Sequence, residues 1–268
     1  MSLRINSNVD ALQGYNNLNK TSSMVSKSME RLSSGFRVNG AADDSAGLSI
    51  SERMRGQIRG LSQATANIGD AVSFVQTAEA NLGEVHGMLQ RVRELAVQYK
   101  NGSLSTTDQA AIQSEVNQLA SEIGRIGTSA KFNGIGLLDN NNTISFQVGA
   151  NDGETVTLAS ITLSTALGTS YYALSAAGTQ DLAEIDTAIN AVSTQRSVFG
   201  AAQNRLEYAA NATKSYHENL VAAESRIRDV DMAQEMVSLT KNQVLAQAGT
   251  AMLAQANQSG QGVLSLLR

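Results

Sequence analysis

The 268-residue chain contains no cysteine, no proline and no tryptophan. Without cysteine it can form neither disulfides nor thiolate metal sites. Without proline its helices can run uninterrupted, because a proline inside a helix costs about 3 kcal/mol. No apolar run approaches the roughly 18–20 residues that a membrane span needs, and the first residues lack the apolar core of a cleavable export signal. We therefore expect a soluble protein without a membrane segment or a cleaved leader.

Charge is also sparse, since charged residues make up 16% of the chain and the formal net charge is −4. A nucleic-acid-binding protein needs a basic face, so this balance argues against nucleic acid as a partner.

The strongest positive signal is an apolar repeat of seven residues between Met54 and Tyr99. Residues three and seven apart lie on one stripe of a helix, which predicts a coiled-coil-like helix from about Ser45 to Tyr99 with one buried seam. Such a helix is roughly 80 Å long at ~1.5 Å per residue and needs partner helices of similar length. The seam residues are Met54, Leu61, Ile68, Val75, Leu82, Leu89 and Ala96, with Gln57, Ala64, Ala71, Ala78, Val85, Val92 and Tyr99.

The same repeat returns after Asp181 and makes a second long helix the natural mate of the first. Its seam comprises Ile185, Val192, Phe199, Leu206, Thr213, Leu220 and Ile227, with Ala188, Gln195, Ala202, Ala209, Tyr216, Ala223 and Val230. A weaker repeat predicts a helix within residues 5–36, while residues 231–268 carry apolar side chains on several faces. A helix that is apolar on more than one side is buried on more than one side, so both termini are predicted to be interfaces.

Turn and cap residues predict where these helices begin and end. We expect breaks at Gly35 and at Asn39-Gly40, and an N-cap among residues 43–45. A third helix, capped within 105–108, is predicted to return along the first after the stop at Asn101-Gly102. Residues 131–178 are predicted to form a small β-rich cap, since alternating runs flank Asp152-Gly153, a strong hairpin signal. The segment 169–177 has no assigned structure. The predicted fold is thus mainly α, a long antiparallel coiled-coil-like helical bundle with a small β-hairpin region and paired N- and C-terminal helices.

No catalytic, cofactor or metal site emerges from the residues. His217-Glu218 begins like a zinc-peptidase helix motif, but Val221 stands where the second ligand is required. Asp43 and Asp44 suit a general acid–base pair far less well than they suit helix capping. Residues 133–136 are too short for a phosphate-binding loop and precede a strand.

Several longer stretches resemble the signatures of bacterial flagellins at both ends of the chain. Near the N-terminus these are Arg-Leu-Ser-Ser-Gly at 31–35, Ala-Ala-Asp-Asp-Ser-Ala-Gly-Leu at 41–48, Met-Arg-Gly-Gln-Ile-Arg-Gly-Leu at 54–61, Gln-Thr-Ala-Glu at 76–79 and Arg-Val-Arg-Glu-Leu-Ala-Val-Gln at 91–98. Near the C-terminus they are Gln-Asn-Arg-Leu-Glu at 203–207, Ala-Ala-Glu-Ser-Arg-Ile-Arg-Asp at 222–229 and Ala-Met-Leu-Ala-Gln-Ala-Asn-Gln at 251–258. Gly260 departs from the family, in which many members have a proline after Ala-Asn-Gln.

The resemblance implies a structural protein that self-assembles into the bacterial flagellar filament for swimming motility. Residues 1–43 and 230–268 would form the inner tube (D0), and 44–178 with 179–229 the outer rod (D1). The sequence leaves no room for the large outer domains of longer flagellins. An alternative from the same superfamily is the hook–filament junction protein. An enzyme-bearing flagellin with a peptidase insert is a third reading, and the failed motif at His217 and the short middle argue against it.

The resemblance also implies partners and a location. The family is exported unfolded by a dedicated type III machine and ends in the extracellular filament. We expect residues 230–268 to bind an export chaperone, hook-associated and cap proteins to meet the filament, and both termini to be disordered in the monomer.

A last implication concerns the surface of the first long helix. In flagellins detected by the innate immune receptor TLR5, an Arg and a Leu of the 91–98 motif and a Glu on the returning helix form the main contact. Arg91 and Leu95 are off both seam lines and are therefore predicted to be exposed; subunit packing along the filament is the alternative and compatible role. The candidate contact residues are Gln90, Arg91, Arg93, Glu94, Leu95, Gln98 and Glu115.

Overall fold

The computed structural model describes residues 8–139, 143–160, 162–168, 170–174 and 181–266, the last eight of them and Ser170 as backbone only. Its contacts divide the chain into a terminal unit (1–56 with 219–268) and a central unit (57–218). As predicted, the fold is mainly α, with two antiparallel strand pairs. The helices are α1 Val9–Ser34, α2 Ser45–Tyr99, α3 Thr106–Ser129, α4 Leu163–Leu167, α5 Asp181–Arg228 and α6 Met232–Leu266. The strands are β1 Lys131–Phe132, β2 Ile135–Gly136, β3 Thr143–Gln147 and β4 Thr155–Ala159.

Helix ends follow the predicted cap residues. Gly35 ends α1 in the left-handed region with φ 76°, which glycine adopts without strain. The Asp44 carboxylate accepts a hydrogen bond from the Gly47 N–H at 2.9 Å and so caps α2. Ser105 and Asp108 form a reciprocal capping box at the start of α3. The sequence predicted these helix ends because each cap residue binds backbone groups that a helix end leaves unpaired, and it does so within a few residues.

In the terminal unit, α1 pairs with α6 along its length, as predicted for the two ends of the chain. Asn8 Nδ2 donates to the Ala256 carbonyl at 3.0 Å. Further along the pair, a Cβ atom added to Gly249 would stand 3.4 Å from the Leu18 side chain, which places Gly249 against α1.

The segments that connect these helices to α2 and α5 form a clasp. Val230 N–H donates to the Gly35 carbonyl at 3.0 Å, and Arg37 N–H to the Arg228 carbonyl at 2.6 Å. The Arg228 guanidinium lies 4.7 Å from the centre of the Phe36 ring and reaches Glu52 Oε1 at 2.7 Å. Backbone pairing, a cation–π contact and an ion pair thus tie both connecting segments to the first turns of α2.

The core of the central unit is the predicted seam between α2 and α5. Seam residues of α2 are buried from Leu61 to Ala96, and those of α5 are mostly buried from Ile185 to Thr213. The two helices run antiparallel, as the cross-helix ion pairs Arg93–Asp186 and Glu79–Arg196 show. Several of the buried seam positions are alanines, among them Ala64, Ala71 and Ala78 on α2 and Ala188 on α5.

A third layer covers this helix pair with two different elements. The predicted apolar face of α3 contributes Ile112, Val116 and Ile123 to the core. The β3–β4 hairpin covers the part of the core nearer Gly60: Asn67 donates to the Gln147 carbonyl at 3.2 Å and Thr213 to the Val148 carbonyl at 3.1 Å.

The seam prediction was wrong at the outer ends of both helices. Met54 is only partly buried, Gln57 is exposed, and Tyr216 is 68% exposed. The heptad pattern continues through these positions, and burial does not follow it there. A Cβ atom added to Gly60 would stand 3.0 Å from the Ala150 side chain, so the covering hairpin reaches the level of Gly60.

The β-rich region predicted for 131–178 is confirmed for the strands between Lys131 and Ala159, but the prediction was wrong beyond them, where Leu163–Leu167 forms α4 and Ser170–Tyr172 forms a 3-10 helix. The predicted hairpin pairs Thr143 with Ala159 and Gln147 with Thr155, and Gly153 takes φ 86° in its turn. A second hairpin, β1–β2, was not predicted; Asn133 and Gly134 form its turn with positive φ. Residues 140–142, 161, 169 and 175–178 of the predicted region lie outside the described residues. Of the unassigned stretch 169–177, the structure describes residues 170–174.

Candidate assembly and receptor-contact surface

Most of the candidate contact residues lie on the outward face near the end of α2. Gln90, Arg93 and Glu94 line a shallow depression together with Val97, and Gln98 is exposed beside them. These positions follow the 3.6-residue period of a helix, so they form one continuous surface.

Arg91 lies at the edge of this surface that borders α3. Its Nε and Nη2 atoms donate to Glu115 Oε1 at 3.1 and 3.0 Å, and its Nη1 donates to Glu94 Oε2 at 3.1 Å. The Glu115 and Glu94 carboxylates raise the pKa of Arg91 above its ordinary value. The structure thus brings together the Arg and the Glu that the sequence placed on different helices, and it holds the guanidinium in a defined orientation.

Arg93 forms the corresponding contact on the side that borders α5. Its Nε donates to Asp186 Oδ1 at 2.6 Å and its Nη2 to Asp186 Oδ2 at 3.4 Å. The hydrogen bond to Asp186 raises the pKa of Arg93, and the same bond lowers the pKa of Asp186. The surface is therefore bounded by two ion-paired arginines, one bound to each neighbouring helix.

Leu95 corrects the sequence analysis, because it is buried and only 2% exposed. It does share a side of α2 with Arg91, but that side faces α3. A seam of two positions per heptad describes a helix with one partner, whereas α2 is covered by both α3 and α5, so its buried face is wider than two positions. Leu95 belongs to the core and presents almost no surface to a partner.

Two residues of the surface were missed by sequence reasoning. Asp186 is bound to Arg93 across the α2–α5 pair. The sequence did not predict this contact, because the seam pattern does not give the register between the two helices. Val97 is 51% exposed. Its signal was present in the sequence, since it is an apolar residue off both seam lines on the side of Gln90 and Glu94.

The residues weighed for catalysis have structural roles where the structure shows contacts. Asp44 caps α2, and Asp43 forms an ion pair with Lys27 at 2.5 Å while accepting from the Asn39 N–H at 3.2 Å. The Lys27 ammonium and the Asn39 N–H lower the pKa of Asp43. Among the residues described, no cluster of three or more His, Cys, Asp or Glu could hold a metal ion. Over the same residues, no helix is long and apolar enough to cross a membrane.

A second candidate surface is the apolar face that α1 and α6 leave uncovered. Leu12 is 62% exposed on α1, and Val237 and Met252 are 69% and 68% exposed on α6. Such a face is expected for helices buried on several sides, and it marks a contact with other molecules.

Long paired helices with unburied apolar faces define a structural protein that associates through its helices. Comparison with known proteins identifies the family. The bacterial flagellin N-terminal helical region matches residues 5–143, and the bacterial flagellin C-terminal helical region matches residues 182–267. The chain belongs to the bacterial flagellin family, and it is a structural subunit of the flagellar filament.

Individual relatives agree with this assignment over nearly the whole chain. A flagellin of Halalkalibacterium halodurans is 49% identical, with 98% of this chain and 99% of that protein aligned. The flagellar filament 33 kDa core protein of Treponema phagedenis is 46% identical over 98% and 99% of the two chains. The crystal structure of Bacillus cereus flagellin superposes with a TM-score of 0.51 at 32% identity, covering 59% of this chain and 94% of that one. These relatives do not favour the hook–filament junction alternative.

Proposed function

We propose that this subunit polymerises by burying the uncovered apolar faces of α1 and α6 between neighbouring copies. The exposed apolar side chains on these two helices are the observation that carries the proposal. In a folded chain this much apolar surface is unfavourable to leave in water, and burial of one Val, Leu or Met side chain contributes roughly 1.5–3 kcal/mol. Within the filament, 1–43 and 230–268 form the inner tube, and 44–178 with 179–229 form the outer rod.

Seeded growth tests this proposal directly. Purified monomer is added to short filament fragments, and growth is followed by electron microscopy. Filaments that lengthen only when seeds and monomer are both present support it. Monomer that binds the seeds without elongating them contradicts it. A variant with Val237→Ser and Met252→Ser should fail to elongate, whereas Tyr99→Phe, within the central unit, is a control that should not affect growth.

We propose that the chain acts through assembly alone and has no enzymatic activity. Support comes from the roles of Asp43 and Asp44 as helix-capping or ion-paired side chains, and from Val221 in place of a second zinc ligand. Incubation of filaments and monomer with denatured protein substrates should yield no cleavage products beyond those of a buffer control.

The subunit is exported and becomes extracellular, where hook-associated and cap proteins adjoin the filament. Before export, an export chaperone covers residues 230–268. The multi-faced apolar surface of α6 supports this, because such a surface promotes aggregation when it is left bare. Deletion of 230–268 should abolish co-purification with the chaperone, and unchanged binding would refute the assignment.

Monomeric subunit activates TLR5 through the surface at the end of α2. This role is supported by the guanidinium of Arg91, which hydrogen bonds to two carboxylates hold in place. It is also supported by the exposed side chains around Arg91, which are those of Gln90, Arg93, Glu94, Gln98 and Glu115. Arg is common among the interface residues whose loss costs most, and Arg91→Ala should weaken activation by about tenfold or more. A receptor reporter assay with monomer provides the measurement, with Arg59→Ala as an exposed-arginine control. Inactive wild-type monomer would leave this surface with only its role in assembly.

A further inference from the structure

Asparagine is followed by glycine at three places among the described residues, at Asn39-Gly40, Asn101-Gly102 and Asn133-Gly134. This pair is chemically labile, because glycine has no Cβ and its own backbone nitrogen can approach the carboxamide of the preceding asparagine. All three asparagines are exposed. The sequence alone therefore predicts similar reactivity at the three pairs, and only the hydrogen bonds of the folded chain distinguish them.

The reaction exchanges the carboxamide of asparagine for a carboxylate. The glycine nitrogen bonds to the asparagine Cγ and gives up its proton, the Cγ–Nδ2 bond breaks, and ammonia leaves with that proton. A water molecule then opens the cyclic imide, which leaves aspartate or isoaspartate in place of asparagine. Negative charge develops on Oδ1 as the ring closes, so a hydrogen-bond donor at Oδ1 lowers the barrier and nearby carboxylates raise it.

Asn101, in the connection between α2 and α3, has the contacts that favour ring closure. Its Oδ1 accepts a hydrogen bond from the Ser103 N–H at 3.4 Å, which folds the carboxamide back over the peptide that joins Asn101 to Gly102. This bond is long, and such bonds tighten as charge develops on the acceptor. The Gly102 nitrogen, which has to attack, donates to no partner among the residues that the structure describes.

Asn39 has contacts that oppose ring closure. Its Nδ2 donates to Glu30 Oε1 at 2.9 Å. The backbone N–H groups of Asn39 and Gly40 both donate to Asp43 Oδ2, at 3.2 and 3.4 Å. The attacking nitrogen and the leaving amide are thus both bound, and the two carboxylates that bind them repel negative charge on Oδ1.

Asn133 lacks the donor at Oδ1 and is held by the strands around it. It takes φ 49° in the turn between β1 and β2, where Lys131 pairs with Gly136 and Phe132 with Ile135. None of the described residues donates a hydrogen bond to its Oδ1. Ring closure requires rotation about the Cα–C bond of the asparagine, and the strand pairs next to the turn resist this rotation.

We infer that Asn101 is a site of spontaneous modification, at which the folded chain converts asparagine to aspartate and isoaspartate faster than at Asn39 or Asn133. The conversion adds a negative charge to the α2–α3 connection, shortly after Gln98 of the candidate contact surface. Isoaspartate also lengthens the backbone of this connection by one carbon atom. The inference goes beyond the proposed polymerisation and does not depend on it.

Ageing of the full-length monomer tests the site, with the other two pairs as internal controls in the same sample. The protein is incubated at mildly alkaline pH, digested with pepsin at low pH to prevent conversion during digestion, and analysed by peptide mass spectrometry. Isoaspartate is measured separately by transfer of a labelled methyl group with an isoaspartyl methyltransferase. Conversion at Asn101 should be faster than at either other site by about tenfold or more. In denaturant the three sites should react at similar rates, because only the fold distinguishes them.

Two pairs of variants test the contacts of Asn101. Gly102→Ala should slow its conversion by about tenfold or more, and it introduces no clash, because a Cβ atom at this position has no neighbour within 4 Å. Gly40→Ala is equally free of neighbours and is the control, which should leave conversion at Asn101 unchanged. Ser103→Pro removes the N–H that donates to Oδ1 and should slow conversion, whereas Ser103→Ala keeps that N–H and should react like the wild type.

Circular dichroism shows whether each variant folds. Equal rates at the three sites of the folded wild type would overturn the inference, and so would unchanged conversion in a folded Ser103→Pro variant. If Ser103→Pro does not fold, the comparison of the three sites in the wild type and the rate in Gly102→Ala decide the outcome.

Discussion

The terminal and central units are both made of long helices, yet they differ in how much of its own apolar surface each unit buries. In the central unit Leu82, Val85, Leu89 and Val92 are fully buried, and a layer of α3 and the β3–β4 hairpin encloses them. In the terminal unit two helices pair without a third layer among the residues described, and most large side chains of α6 remain exposed.

The difference shows what a third layer contributes to a helix pair. Two helices can cover only one stripe of each other, so a helix with apolar residues on several sides needs further partners. The central unit contains those partners within the chain. In the proposed filament the terminal unit obtains them from other copies, and its stability would then be tied to assembly.

The largest expected effect is a difference in protection between the two units in the monomer. Ordering the backbone costs about 1–2 kcal/mol per residue, which over the two termini reaches on the order of 100 kcal/mol. We expect limited proteolysis of monomer to trim the chain to near residues 44 and 229, whereas filaments resist. Mass spectrometry of the fragments is the measurement. Termini that resist digestion in the monomer would contradict the expected difference in protection between the two units.

The second-largest effect is expected from truncating a buried side chain of the central unit. Leu95→Ala should lower the free energy of unfolding by about 2–5 kcal/mol, because it leaves a cavity in a closed core. Arg91→Ala, one turn earlier, should lower it far less, since its ion pairs are solvent-exposed.

Denaturant unfolding of monomer followed by circular dichroism gives both values. Met252→Ala, on the exposed face of α6, is the control from the terminal unit and should change stability by about 0.5 kcal/mol or less. If Leu95→Ala unfolds like the wild type, Leu95 is not a core residue.

An intermediate effect is expected at the clasp of the terminal unit. Arg228→Ala removes the ion pair with Glu52 and the contact with Phe36, and hydrogen bonds to charged groups contribute roughly 1.5–3 kcal/mol. In filaments, hydrogen exchange of the Arg37 and Val230 amides should become faster by about tenfold or more, while amides of the central core keep their protection. Arg226→Ala is the control, an exposed arginine of the same helical turn. Equal exchange in both variants would show that the side chain does not maintain the clasp.

The smallest effect is expected from acid. The pKa values of Asp43 in the terminal unit and Asp186 in the central unit are lowered from the ordinary 3.8 in the folded chain. Their contribution to stability is therefore complete well above pH 3.8 and is lost as the pH falls through the lower folded values. Neither group is buried, so the loss is small. Unfolding of Asp186→Asn and wild type should differ less at about pH 3 than at about pH 7; a difference that grows on acidification would contradict the assignment.

Short-range patterns in the sequence determined the two longest helices, several helix ends and one hairpin of this protein. The seven-residue repeat specified α2 and α5 and paired them, because a continuous apolar stripe on a long helix has to be buried. Gly35, Asp44 and Ser105 fixed helix ends through contacts within a few residues, and Asp152-Gly153 marked the longer hairpin. The flagellin signatures at both ends identified the family.

Only the tertiary structure decided which flanking positions are covered. Leu95 lies off the repeat and was expected on the surface, yet the approach of α3 buries it. Tyr216 lies on the repeat and was expected in the core, yet no covering element among the described residues reaches it. The partners of Arg91 and Arg93 likewise depend on the register between helices. Burial at such positions depends on elements distant in sequence, and a periodic pattern reports the direction of a side chain but not what lies opposite it.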